Sequence, residues 1–286
     1  MSEKDNLKIA AIIQARMGST RLPGKVLMPL PTPQKSNQAT KPDALQNSEL
    51  KQTMNQTILG RLISSLKMVQ GIQDIWLATT ELPKDDVLEN QAKTWGVRLF
   101  RGSENDVLSR FWGILEQNDY DCVFRFTADN PCVDIHAVEF VLKQHNPKLY
   151  DYTRLNGMPI GMHVEMINAK TLLNLKYNSQ LSAEDHEHVT IFIKRHSNFA
   201  KNMLQISDYL EYLNSKSNTE TTNNSPMLSL ENQHRLTQLR MTIDHEHEYK
   251  MVLDFYEFAE KKNGKRLLDL IIQWQDQCNP ESKLSD

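Results

Sequence analysis

Residues 8–13 read Lys-Ile-Ala-Ala-Ile-Ile, a short and nearly unbroken apolar run. A strand wet on one face alternates apolar and polar residues, so a continuous run of this length predicts a central strand covered on both faces. Downstream, Ile58, Leu59, Leu62, Ile63, Leu66 and Val69 recur at helical spacing, and Ile75-Trp76-Leu77-Ala78-Thr79 reads as a second strand. Strand, helix and strand in that order make a βαβ crossover. The pattern continues with a helix over 87–95, a short strand over 97–100, a helix over 106–116 and a strand over 122–127. Such alternation predicts a three-layer α/β fold around a mainly parallel, doubly wound sheet. Helices over 249–262 and 265–275, separated by Asn263-Gly264, are expected to pack on it as an α-hairpin.

Two stretches do not fit this alternation. Residues 31–57 contain no aromatic residue and carry 17 Gln, Asn, Thr, Ser or Pro among 27 positions. Residues 214–235 carry 12 Ser, Thr or Asn among 22. Segments this polar bury too little apolar surface to offset the entropy of ordering them, and both are expected to be surface insertions. Setting them aside leaves 237 of the 286 residues, a comfortable length for one α/β domain spanning 1–286. They also account for the low 39% hydrophobic content.

Charge and cysteine content exclude several functions. Thirty-three Lys+Arg against 36 Asp+Glu give a formal charge of −3, with none of the basic excess that drives binding to nucleic acid. Cys122, Cys132 and Cys278 are too few and too scattered for a disulfide framework, which points to a reducing, cytoplasmic setting. No stretch approaches the length of a membrane helix and none reads as a signal peptide, so no membrane association is expected.

The segment most informative about chemistry directly follows the first strand: Gln14-Ala15-Arg16-Met17-Gly18-Ser19-Thr20-Arg21-Leu22-Pro23-Gly24-Lys25. Open α/β sheets bind ligands beyond the carboxyl ends of their strands. The small residues Ala15, Gly18 and Ser19 let backbone amides approach an anion, and Arg16, Arg21 and Lys25 suit a polyphosphate. It is neither a Walker A loop nor a GxGxxG fingerprint, and a solvated loop in which cations happen to cluster is the plain alternative. Arg125-Phe126-Thr127-Ala128-Asp129-Asn130-Pro131 ends the strand over 122–127. Asp129 there suits Mg²⁺, although Asp-Asn-Pro is also ordinary turn chemistry. Residues 239–244 read as an alternating strand ending in Asp244. That residue would share the cation if it reaches the same sheet edge, or else would cap the helix that follows. His186/His188 and His245/His247 are spaced i, i+2 at predicted helix starts, where side chains diverge, so zinc is not expected.

Taken together, the residues from Ala11 through Leu27, with the Gln14–Lys25 loop at their centre, resemble the opening of the cytidylyltransferase family. The family includes the acylneuraminate and Kdo cytidylyltransferases and the SpsF-type proteins of spore-coat polysaccharide synthesis, and the resemblance is strongest to the last. Further matches follow in order: Gly102 with Asp106-Val107-Leu108-Ser109-Arg110-Phe111, Arg125 to Pro131 with Asp134, Pro159-Ile160-Gly161 with Val164-Glu165, Glu187-His188-Val189-Thr190, and Leu239 to Asp244. The resemblance spans residues 8 to about 260. One departure stands out: the family's short Gly-Lys-Pro turn is replaced by the 31–57 insertion.

The resemblance implies the nucleotide-diphospho-sugar transferase (GT-A-like) type of sheet. It also implies a reaction in which a sugar-acid hydroxyl attacks the α-phosphorus of CTP, giving a CMP-sugar and pyrophosphate. Carried over by position, Gln14, Ala15, Arg16, Met17, Gly18, Ser19, Arg21 and Lys25 would hold the triphosphate, with Ser103, Asp106 and Arg125 around the nucleoside. Asp129 and Asp244 would bind Mg²⁺. His163, Glu165, Glu187 and His188 would line the sugar side, and Arg16, Lys25 and Asp129 would carry the catalysis. Glycosyl transfer from a nucleotide-sugar, or a non-catalytic nucleotide-binding role in a biosynthetic complex, would use the same fold. A homodimer is left open.

Overall fold

The alternation of apolar runs becomes one seven-stranded sheet in a computed structural model that describes residues 7–31, 56–217, 229–262 and 266–278. Its strands are β1 (Ile9–Gln14), β2 (Asp74–Thr80), β3 (Arg98–Gly102), β4 (Cys122–Thr127), β5 (Tyr152–Leu155), β6 (Glu165–Asn168) and β7 (Lys201–Leu204). They lie in the order β3-β2-β1-β4-β6-β5-β7. The predicted central strand is the apolar run itself. β1 pairs in parallel with β2 on one side and β4 on the other, and every residue from Ile9 to Ile13 is buried. Only β6 runs against its neighbours, β4 and β5. The mainly parallel α/β architecture expected from sequence is therefore the one observed.

Helices cover both faces. Those described are α1 (Ile58–Leu66), α2 (Asp86–Trp95), α3 (Val107–Glu116), α4 (Ile135–Gln144), α5 (Ala169–Leu175), α6 (Ala183–His188), α7 (Ile191–Arg195), α8 (Ile206–Ser217), α9 (Leu230–Gln238), α10 (Glu246–Glu260) and α11 (Leu267–Cys278). Ile9, Ala11 and Ile13 face a core shared with α1, α4, α8, α10 and α11, while Ala10 and Ile12 face one shared with α3, α5 and α7. The starts are local: the Thr57 hydroxyl accepts the Gly60 amide at 3.1 Å, and Asp106 Oδ1 accepts the Ser109 amide at 2.8 Å. None of the described helices is long and apolar enough to cross a membrane.

The structure departs from the sequence reading around the polar stretches. Most of 31–57 lies outside the described residues, but its ends meet: Leu30 N donates to Gln56 O at 2.8 Å, and Pro29 bridges Thr57. The flanks of 214–235 are helical, Asn214 to Ser217 completing α8 and Leu230 opening α9, and only 218–228 lie outside the description. Residues 239–244 form no strand. After α9 a single bridge joins Arg240 to Ile160, a residue of the loop between β5 and β6. Asp244 also does not cap α10; His245 is the cap, and Glu248 Oε2 accepts both the Asp244 and His245 amides.

Candidate active site

β1 pairs with β2 and β3 to one side and with β4 to the other, so the strand order reverses at the β1–β4 junction. There Gln14 lies opposite Thr127. Crevices beyond such switch points are where open α/β sheets place ligands. The loop leaving β1 is tied by its own backbone: Ser19 N and Gly24 N both donate to Met17 O at 3.0 Å. Met17 N donates to buried Asp85 Oδ1 at 2.6 Å. Among the described residues, the amides of Arg16, Gly18, Thr20 and Arg21 donate to no protein acceptor. Four N–H groups left free in one short loop are available to donate to an anion. Arg16 stands beside it, paired only loosely with Glu104 at 3.8 Å, which Lys84 also holds at 2.7 Å.

The two aspartates picked out by sequence meet on one ammonium group. Lys25 is 8% exposed, and its Nζ reaches Asp129 Oδ2 at 2.7 Å, Asp244 Oδ1 at 3.0 Å and Ile243 O at 2.7 Å. Lys25 was expected to reach toward phosphate; here it lies between two carboxylates. Arg21 touches Asp244 Oδ1 at 3.3 Å, and Arg240 touches Asp244 Oδ2 at 3.2 Å. Both aspartates keep about a fifth of their side-chain surface exposed, so the pair remains within reach of a ligand.

Asp244 arrives here through backbone contacts rather than a strand. Ile243 N donates to Asp129 O at 3.0 Å, and Met241 N donates to Ile160 O at 2.7 Å. The Ile160 loop can approach because Gly161 sits at φ +94°, where a Cβ would lie 2.7 Å from Thr242 N. Replacing Gly161 with alanine is expected to cost about 2 kcal/mol or more through left-handed backbone and backbone collision together. Thermal denaturation would read that loss, and an unchanged melting temperature would contradict the contact.

Beyond Asp129 a network of charged side chains lies on β4 and β6. Arg125 Nε donates to Gln14 Oε1 at 3.0 Å, and Arg125 pairs through NH1 with Glu165 Oε1 at 2.8 Å. The buried Glu165 also accepts from Tyr152 Oη at 2.6 Å, Lys194 Nζ at 2.9 Å and Thr190 Oγ1 at 3.1 Å. Burial alone would raise its pKa, but the charges of Arg125 and Lys194 and the Tyr152 hydroxyl outweigh it and hold the carboxyl well below the ordinary range. Expected as a sugar ligand, Glu165 therefore already has both oxygens engaged by protein.

The other expected residues divide. Asp106 caps α3 and lies 2.9 Å from His186 Nδ1, and Ser103 is exposed in the segment before it. His163 Nδ1 lies 3.1 Å from Pro159 O, and burial followed by the Arg154 charge lowers its pKa. Glu187 and His188 are exposed at the end of α6. The chain then turns at Val189, a β-branched residue at φ 59°, ψ −54°, with Thr190 N donating to His188 O at 2.5 Å. This γ-turn is strained for valine, and it delivers the Thr190 hydroxyl to Glu165.

Sequence reasoning missed Lys194, Tyr152 and Arg154, which carry no motif and become neighbours of Glu165 only when β5, β6 and α7 pack. It also expected the histidine pairs to diverge. The rings of His245 and His247 instead stack at 5.4 Å, because His245 is an extended cap rather than a helical residue. With Glu248 they form a cluster whose ligand atoms lie within 4.8 Å, but the Glu248 carboxylate is taken by two amides and by Arg240.

This arrangement can be set beside known proteins. A family described as "Cytidylyltransferase" matches residues 10–31 and 44–275. The spore coat polysaccharide biosynthesis protein SpsF of Bacillus subtilis is 30% identical over 263 residues, covering 92% of each chain. An uncharacterized protein of Methanocaldococcus jannaschii is 31% identical over 199 residues, covering 68% of this chain and 70% of its own. Among solved structures, a cytidylyltransferase from Leptospira borgpetersenii superposes with a TM-score of 0.69 at 22% identity over 98% of both chains. A CMP:2-keto-3-deoxy-manno-octonic acid synthetase complexed with CTP gives 0.50 at 14% identity, over 74% of this chain and 99% of that one. With the family matching nearly the whole described chain, and with the loop, the paired aspartates and the sheet in place, the protein belongs to the cytidylyltransferase family.

Proposed function

We propose that the protein transfers a cytidylyl group from CTP to a hydroxyl of a sugar acid, with release of pyrophosphate, in the synthesis of a surface polysaccharide. The observation that carries this reading is the meeting of Lys25, Asp129 and Asp244 beside four free loop amides at the β1–β4 switch point. The names of the relatives agree with it, since SpsF is a polysaccharide biosynthesis protein and the octonic acid synthetase is complexed with CTP.

The site fits a divalent cation. Two carboxylates converge on one point, and a positive charge, the Lys25 ammonium, already stands there. Asp129 and Asp244 would hold Mg²⁺, a hard cation that takes one or two carboxylates together with substrate phosphates. When bound it would draw negative charge from the phosphate oxygens. The rest falls to the chain itself. The amides of Arg16, Gly18, Thr20 and Arg21 bind phosphate oxygens, Arg16 and Arg21 balance their charge, and the Gln14–Arg125 pair borders the nucleoside. Phosphoryl transfer needs this positioning and neutralisation more than a covalent nucleophile.

A pyrophosphate-release screen of nucleotides against sugars tests the assignment, with CTP and sugar acids expected as the productive pair. Release of a nucleoside diphosphate without pyrophosphate would favour glycosyl transfer, and CTP binding without turnover would favour a non-catalytic role. Lys25→Ala is expected to tighten Mn²⁺ binding to the nucleotide-free protein by about tenfold while weakening CTP binding, because the competing ammonium leaves the carboxylate pair. Manganese titration by electron paramagnetic resonance reads this directly. Unchanged Mn²⁺ affinity would argue against Asp129 and Asp244 as the cation site.

A further inference from the structure

The charges around Glu165 do not balance. Arg125 comes from β4, Lys194 from α7, and Arg154 from β5, where it lies directly opposite Glu165 in the antiparallel register. Three basic side chains thus stand around one carboxylate. The Tyr152 hydroxyl donates to that carboxylate and is held protonated, burial coming first and the Glu165 charge second among the causes. His163 borders the same group.

Arg154 is the cation left over. It forms no ion pair among the described residues, and its Nε is buried without a hydrogen-bond partner. Lys194 is pressed by the same imbalance: burial first, and then the neighbouring charges of Arg154 and Arg125, outweigh the support it gains from Glu165 and lower its pKa from the ordinary lysine value. Its side chain nevertheless remains 29% exposed, so a ligand can reach it. Proteins rarely hold uncompensated positive charge in a half-buried site unless an anion from outside completes it.

The location narrows which anion. Arg125 lies four residues before Asp129 on β4, and its Nε holds Gln14 at the head of the phosphate loop. The loop carrying Ile160 and His163 is hydrogen-bonded to the segment that ends in Asp244. The imbalance therefore adjoins the candidate reaction centre. Its cations are distinct from Arg16, Arg21 and Lys25, which already serve the loop and the aspartates.

We propose that Arg154 and Lys194 form an anion subsite that binds a carboxylate or phosphate group on the acceptor, with Glu165 as the positioning residue that fixes Lys194 and Arg125. This rests on the transferase reading only in calling the ligand an acceptor. It assigns Glu165 to orienting cations rather than to touching sugar. It also makes an uncharged sugar a poor substrate, because such a sugar would leave Arg154 without a counter-charge.

The test uses the full chain with Arg154→Met and Lys194→Met, which keep stem length and remove charge. Calorimetry without nucleotide would compare a panel of sugar acids, a panel of sugar phosphates and their uncharged counterparts. The wild-type protein is expected to bind one charged panel at least about tenfold more tightly than the neutral one, and each variant to lose about tenfold or more of that preference. Which charged panel binds decides between carboxylate and phosphate. CTP affinity should change less than about twofold, and Arg154→Met should melt no lower than wild type, since it relieves like-charge repulsion. Equal binding of charged and neutral sugars, a preference retained in both variants, or loss of CTP binding instead would overturn the proposal. Pyrophosphate release is read separately. Anion binding without any release from CTP would leave the subsite standing and remove the cytidylyl-transfer reading, and the reverse result would do the opposite.

Discussion

Asp129→Asn is expected to lower the rate of pyrophosphate release from CTP by about a thousandfold or more, the scale seen when a group that neutralises charge at a reacting centre is removed. Asparagine keeps the shape and the carbonyl oxygen but loses the charge that pairs with Lys25 at 2.7 Å and would hold a divalent cation. Folding should survive, because the contact that seats this turn against the Asp244 segment is made by the backbone, Ile243 N donating to Asp129 O. Steady-state kinetics with a circular dichroism control would measure both. Full turnover in the folded variant would remove Asp129 from the machinery.

Glu165→Gln should instead cost stability, by about 3–5 kcal/mol or a fall in melting temperature on the order of 10 °C. The substitution leaves the half-buried Arg125 and Lys194 beside Arg154 with no carboxylate among them. Adding Arg154→Met to the Glu165→Gln protein is expected to recover part of the loss, and a double-mutant cycle measures that coupling. The pH dependence has a defined sign. Glu165 is depressed in the folded protein, so its stabilisation is fully present above the ordinary glutamate range and is lost as pH falls toward the lower folded value. The gap between wild type and Glu165→Gln should stay constant from about pH 7 to pH 5 and shrink below about pH 4. A gap that widened on acidification would contradict the assignment.

Much of the site was legible because its parts are local. The loop from Gln14 to Lys25 declares itself by small residues and cations directly after an apolar strand, and β1 was readable because burial on both faces leaves an unbroken hydrophobic run. Asp106 was legible as a helix start for the same reason, a cap being a contact across three residues. Residues 239–244 misled: their alternation imitates a strand, yet among the described residues they form one bridge to the Ile160 loop and one backbone bond to Asp129, and no ladder. The polar flanks of 214–235 misled in the other direction. Apolar residues at the edges, Leu213 and Leu236, reach the core and carry helix into both ends of the stretch.

The sequence by itself determined the α/β alternation, the loop of small and cationic residues after β1 and the choice of the two aspartates, all of which depend on neighbours within a few residues or on motif order. Only the tertiary structure decided that Asp129 and Asp244, 115 positions apart, share the Lys25 ammonium. It alone decided that Glu165 is consumed by four protein partners while Arg154, among the described residues, has no ion pair. Charge balance in a low-dielectric site depends on which side chains strand order and helix packing bring within a few ångströms, and that sum cannot be read along the chain.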